Sequence, residues 1–170
     1  SSSIVFSRSL LGRISGEDDL GIPEVSSAMD LQIVERTTAR HPWLAAAEGW
    51  HAAFGRELNA SDDRALFTAY RGAPGSRPVI EGKQIEPFRV ALDRCRLEVA
   101  GDVAARVTVP RRSRLAYRDV ASATNRLTLI AAIVPARAVT THTLLCLKTP
   151  LPSAQQQVLC ALLNSLVANY

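Results

Sequence analysis

The sequence predicts an α+β fold, an antiparallel β meander packed with helices and preceded by a helical connector. Three observations carry the prediction. Residues 114–148 hold three strand-like runs separated by turn residues. Ser27 and Asp30 form a capping-box pattern ahead of a periodic stretch. Residues 153–170 repeat leucine at helical spacing.

The elements follow in chain order. Residues 22–49 read as helical, with Ser27 as cap and Met29-Asp-Leu-Gln-Ile-Val-Glu-Arg as the body. His41-Pro42 ends that helix, because the residue before proline avoids the α region. LAAAEG then suggests a short helical piece closing at Gly49. Trp50, Ala52, Phe54 and Leu58 fall on alternating positions and suggest a strand. From Asn59 to Phe67 a turn leads into a helical turn, with Ser61 as its cap and Asp62 and Asp63 at the positive end of the dipole. RGAPGSRP is a loop by its glycines and prolines.

An Arg-rich region of poor pattern runs to about residue 112, and then the meander begins. In Arg114–Val120, Leu115 and Tyr117 face one way, and Arg114, Ala116 and Arg118 the other. A turn at Ala123–Arg126 leads to Leu127–Val134, a continuous apolar run suited to a central strand. Pro135 ends it, and Thr140–Lys148 makes the third strand. Ser153–Tyr170 closes as a helix with Leu159, Leu162, Leu163, Leu166 and Tyr170 toward a core.

With 170 residues and 47% hydrophobic content the chain can build one sizeable core, or a domain with an appendage. The boundary falls between a helical connector at 1–49 and a second domain at 50–170. No apolar run approaches the roughly 18 residues of a membrane helix, so no membrane partner is expected. No secretory leader pattern is present, and Cys95, Cys146 and Cys160 lack metal or disulfide spacing, which favours buried thiols in a reducing cytoplasm. The missing initial Met and the uncapped end LLNSLVANY suggest a piece of a longer protein.

Charge is unevenly spread. Residues 1–63 hold five arginines and ten acids, whereas residues 64–170 hold fifteen cations and six acids. Eighteen of the twenty cations are arginine, whose planar fork suits phosphates and guanine edges. Such a basic concentration is the footprint of a polyanion partner, although an arginine-rich composition has other sources.

Catalytic and metal motifs are sparse. Asp63, Glu81 and Lys83 loosely match the order a metal-dependent nuclease uses. Against that reading, Gly82 and Pro87 interrupt the strand such a site needs, and Asp62 and Asp63 are explained as helix-start residues. His41, His51 and His142 have no ligand spacing, and His142, flanked by threonines, is the one suited to contact. No nucleophile motif or phosphate loop is present, so no catalytic and no metal residues are assigned.

Several blocks, in order, resemble the C-terminal target-recognition region of adenine-specific restriction–modification DNA methyltransferases, the TaqI-like specificity class. They are Phe54-Gly-Arg-Glu-Leu-Asn59, Pro78-Val-Ile-Glu-Gly-Lys-Gln-Ile85 with Phe88, Arg114-Leu-Ala-Tyr-Arg-Asp-Val120, Ala123-Thr-Asn-Arg126 with Leu129–Pro135, and Leu162–Tyr170. Together they cover most of residues 50–170. The resemblance implies double-stranded DNA as partner and a catalytic methyltransferase domain of the same parent chain. That domain would bind S-adenosylmethionine and the flipped adenine, and its Asn/Asp-Pro-Pro-Tyr/Phe motif is absent here. No cofactor is therefore expected in these residues, which alone would neither methylate nor cut.

On that reading Arg111, Arg112 and Arg114 are candidates for phosphate contact or for a solvated face. Asn125 and Arg126 either read bases or form a plain hairpin turn. Arg118 either faces DNA or pairs with Asp119. Lys83 and Gln84, beside Gly82, either approach DNA or belong to a tight turn. The alternatives to a DNA-reading domain are the nuclease above and a non-catalytic protein-interaction domain.

Overall fold

The computed structural model describes residues 4–15, 21–22, 24–107, 112–120 and 127–169. The chain divides into two compact units, residues 1–51 and 52–170.

The first unit has two helices, α1 (Arg8–Ser15) and α2 (Ala28–Arg40), packed on each other. The capping box forms as the sequence suggests: the Asp30 amide donates to Ser27 Oγ at 3.2 Å, and the Ser27 amide donates to Asp30 Oδ2 at 2.8 Å. The helix stops at His41, before Pro42. LAAAEG is not helical. It is a run of tight turns in which the Ala46 amide reaches the Trp43 carbonyl and the Gly49 amide reaches the Ala46 carbonyl, each at 3.0 Å. Gly49 is required there, because a Cβ would stand 2.4 Å from the Trp43 carbonyl oxygen.

The second unit is the α+β part. Its elements are β1 (Phe54–Gly55), β2 (Thr68–Ala69), β3 (Ser76–Ile80), β4 (Ile85–Glu86), β5 (Arg89–Val90), β6 (Leu97–Ala100), α3 (Gly101–Val107), β7 (Arg114–Arg118), β8 (Ala131–Val134), β9 (Val139–Thr140), β10 (Leu144–Leu147) and α4 (Ser153–Leu163). One antiparallel sheet has the order β1-β10-β7-β8, and a second has the order β2-β6-β3-β9 with β3 and β9 parallel. β4 and β5 form a separate hairpin.

β7 and β8 pair antiparallel as neighbours, with Leu115 opposite Ile133 and Ala116 opposite Ala132. The third run divides. Val139–Thr140 joins β3 in the second sheet, a turn follows, and Leu144–Leu147 pairs with β7 on the side away from β8. One short segment thus stitches both sheets. Because side chains alternate along β3, Val79 and Ile80 feed different cores. Ile80 packs with Ile85, Ala116, Val134 and Leu144, and Val79 packs with Leu58, Val99, Ala104 and Val139. Each fully buried isoleucine or leucine contributes about 2 kcal/mol.

Several local expectations are corrected. Ser61 does not cap: the residue before the 3₁₀ turn Arg64–Leu66 is Asp63, whose Oδ2 accepts from the Asn59 amide at 2.7 Å. Glu81 and Lys83, by contrast, are kept off a common strand as Gly82 leads one to expect, because Gly82–Gln84 is a 3₁₀ turn. The C-terminal helix ends at Leu163, leaving Leu162 and Leu166 exposed. Asn164 stops it by turning inward. Its Oδ1 accepts from the Ala131 amide at 3.0 Å, and its Nδ2 donates to the Ala131 carbonyl at 2.8 Å. These bonds satisfy backbone groups on β8, an edge strand. Asn169 Oδ1 does the same for the Thr128 and Leu129 amides.

Candidate functional site

Among the described residues of the second unit, a buried ion pair centres on Glu57, just past β1. Arg114, the first residue of β7, grips it with a planar fork: Nε to Oε1 at 2.7 Å and Nη2 to Oε2 at 2.5 Å. Their side chains are 1% and 6% exposed. The Thr140 amide at 2.8 Å and its hydroxyl at 3.0 Å add two more donors to Oε2. Arg114 Nη2 also donates to the Ala138 carbonyl at 3.0 Å. Two buried charges are tolerated because the carboxylate is almost fully hydrogen-bonded. Cys146 lies alongside, 3.1 Å from the Thr140 hydroxyl, and burial, then the Glu57 charge, push its thiol up. Such a thiol is inert.

Above this pair opens a cleft of about 310 Å³, lined by Glu57, Arg106, Val107, Arg112, Arg114, Leu147 and Lys148. Four cations face one carboxylate, a formal charge of +3. Lys148 follows β10, and its Nζ lies 3.9 Å from Glu57 Oε1. Its aliphatic stem crosses Gly55, where a Cβ would come within 3.2 Å of Cε, so the glycine makes room for it. Arg112 is steadied by its Nη2 donating to the Thr149 carbonyl at 2.6 Å.

The residues expected from the sequence have the following places. Arg112 and Arg114 share the cleft, but Arg114 is buried, with one edge of its guanidinium committed to Glu57, and offers no surface to a duplex. Gln84 is also buried: its Oε1 accepts from the Glu81 amide at 2.6 Å and its Nε2 donates to the Arg94 carbonyl at 2.8 Å. Its Nε2 keeps a second hydrogen, but with the side chain closing the turn and the residue 1% exposed it is not presented to a base edge. Lys83 is exposed and paired with Glu81 at 2.9 Å. Lys83 and Gln84 line a second hollow, of about 440 Å³, with Asp93, Arg94, Cys95 and Arg96.

Arg118 does not pair with Asp119. Its Nε donates to the Ile85 carbonyl at 3.0 Å, with Nη2 on the same oxygen, and Asp119 pairs instead with Arg56 at 2.6 Å. His142 is half-buried, and its Nδ1 accepts from the Ala60 amide at 3.1 Å. Arg111, Asn125 and Arg126 lie outside the described residues. Among the described residues no three His, Cys, Asp or Glu side chains stand together as metal ligands. No described helix is long and apolar enough to cross a membrane.

Sequence reasoning missed Glu57, Arg106 and Lys148. Glu57 sits within the Phe54–Asn59 block, and an acid inside an otherwise apolar strand pattern was the available signal. Its partner, 57 residues away, carried none. Comparison of the chain with protein-family models and with curated proteins finds no match in either.

Proposed function

We propose that the chain is a DNA-binding target-recognition domain, with its helical connector, of an adenine-specific DNA methyltransferase or fused restriction–modification enzyme. Methyl transfer and S-adenosylmethionine belong on this reading to a catalytic domain outside these residues. The partners are double-stranded DNA and that domain, in the cytoplasm, a setting consistent with three free cysteines.

One observation carries the proposal. Residues 52–170 hold sixteen cations and nine carboxylates, and all nine carboxylates have local partners. Glu57 and Glu98 are held internally, Asp62 and Asp63 bind Asn59, and Glu81, Glu86, Asp93, Asp102 and Asp119 pair with Lys83, Arg89 and Arg94, Arg89, Arg106 and Arg56. Among the described residues Arg64, Arg71, Arg77, Arg96, Arg112, Arg118 and Arg137 have no carboxylate in ion-pairing reach, and of these Arg77, Arg112 and Arg118 donate to backbone carbonyls. That surplus supports a phosphate-rich partner, since a module serving base flipping must grip the duplex while the target base is unstacked. The order of the sequence blocks points to adenine methyltransferases in particular.

Selection of bound duplexes from a randomised pool tests it. Enrichment of a defined, adenine-containing site is expected. Retention of no DNA, or of every sequence equally, would overturn target recognition.

A further inference from the structure

The cleft above Glu57 has a property that local ion pairing leaves unexplained. Arg114 uses Nε and Nη2 on Glu57 and the Ala138 carbonyl. Its Nη1 is buried and finds no hydrogen-bond acceptor among the described residues. Arg114 is 5% exposed, so bulk water does not serve that nitrogen. Buried donors on a cation are rarely left without an acceptor, and an orphan of this kind marks a place for a water or an anion. Three other cations, Arg106, Arg112 and Lys148, line the same cleft.

Charge selects the occupant. Glu57 already accepts four hydrogen bonds, from Arg114 Nε and Nη2 and from the amide and hydroxyl of Thr140. Its charge offsets that of Arg114 and, with Arg106 paired to Asp102 at 3.6 Å, leaves Arg112 and Lys148 as surplus. A neutral guest would leave those charges facing one another, whereas an oxyanion with several oxygens serves more than one of them.

We propose that this cleft is a binding site for a phosphate-type oxyanion, with Arg112 and Lys148 as its principal ligands and Arg114 Nη1 as the donor in its wall. Arg114 reaches only a group that enters the cleft, in keeping with its lack of exposed surface. That the phosphate is a backbone phosphodiester of DNA rests on the function proposed above. The oxyanion site itself does not.

The test uses the full chain with pyrophosphate as probe, read by thermal denaturation and amide NMR at matched ionic strength. Pyrophosphate should raise Tm above the level in chloride and shift the Leu147 and Lys148 amides. Lys148→Met and Arg112→Gln should each weaken its binding by about tenfold, the effect expected for one charged hydrogen bond. Arg137→Gln, at an exposed position outside the cleft, should not. Equal effects of pyrophosphate and chloride on the wild-type chain would overturn the site, a comparison that does not depend on any variant folding.

A duplex-DNA arm separates the sources. Weaker duplex binding in Lys148→Met and Arg112→Gln, in step with their loss of pyrophosphate binding, supports a backbone phosphate in the cleft. Duplex binding unchanged by both cleft variants would overturn that assignment while leaving the DNA reading intact. Pyrophosphate binding without any duplex binding would support the site, as one for the phosphate of a small ligand, and overturn the DNA reading.

Discussion

Glu57 and Arg114 meet through two parallel hydrogen bonds of 2.7 and 2.5 Å, tying the end of β1 to the start of β7 inside the protein. Removing one partner strands the other charge. Glu57→Ala should therefore cost about 4 kcal/mol of stability, measured by urea unfolding. Replacing both residues by methionine should recover most of that loss. A cost below about 1 kcal/mol for Glu57→Ala would contradict the burial of the pair.

How legible this pair was in the sequence follows from its range. The capping box at Ser27, the stop at His41-Pro42 and the strand from Arg114 to Arg118 are written within a few adjacent residues, and the structure has all three. Residues 82–95 lack a pattern because they form two-residue strands and 3₁₀ turns too short to show a period, and β6 and α3 after them are themselves short. The split of Thr140–Lys148 between two sheets depends on distant partners, β3 and β7. At the candidate site, arginine-rich segments were visible, but which arginine is buried depends on Glu57. Leu166, at helical spacing beyond Leu163, mimics a continuing helix, and only the inward turn of Asn164 ends it.

Glu98 gives the fold a pH dependence. Burial alone would raise its carboxyl, but the Arg71 amide, the Ser76 hydroxyl and the Gly72 amide hold it below its ordinary value of 4.5. Between the folded and ordinary values the unfolded chain binds more protons. The stabilisation is thus complete above the ordinary value and is lost as pH falls through the folded one. Glu98→Gln should be less stable than wild type at neutral pH, and the gap should shrink on acidification. Tm measured across pH checks this, and a constant gap would refute it.

Phe88 stands at the tip of the β4–β5 hairpin with φ +66°, a left-handed conformation costly for a bulky residue, and is 62% exposed. Phe88→Gly should be more stable than Phe88→Ala by about 1 kcal/mol, since only glycine takes that conformation freely. Chemical denaturation of the two variants reads the difference. An alanine variant at least as stable would count against the strain.

Asn164 satisfies both backbone groups of Ala131 on the sheet edge and is 8% exposed. Asn164→Leu leaves the Ala131 amide without its acceptor, while the carbonyl keeps the Phe88 amide at 3.0 Å, so a loss of about 2 kcal/mol is expected in equilibrium unfolding. Hydrogen exchange at the Ala131 amide should accelerate as well. Unchanged exchange there would show that the asparagine does not protect the edge.

The most direct measurement of the central claim is the binding of the full chain to duplex DNA as a function of salt. If the surplus arginines contact phosphates, log affinity falls linearly with log salt, with a slope of about −0.9 per contact. About six contacts would lower affinity roughly a thousandfold between about 50 and 200 mM salt. No binding at low salt, or binding indifferent to salt, would contradict the account.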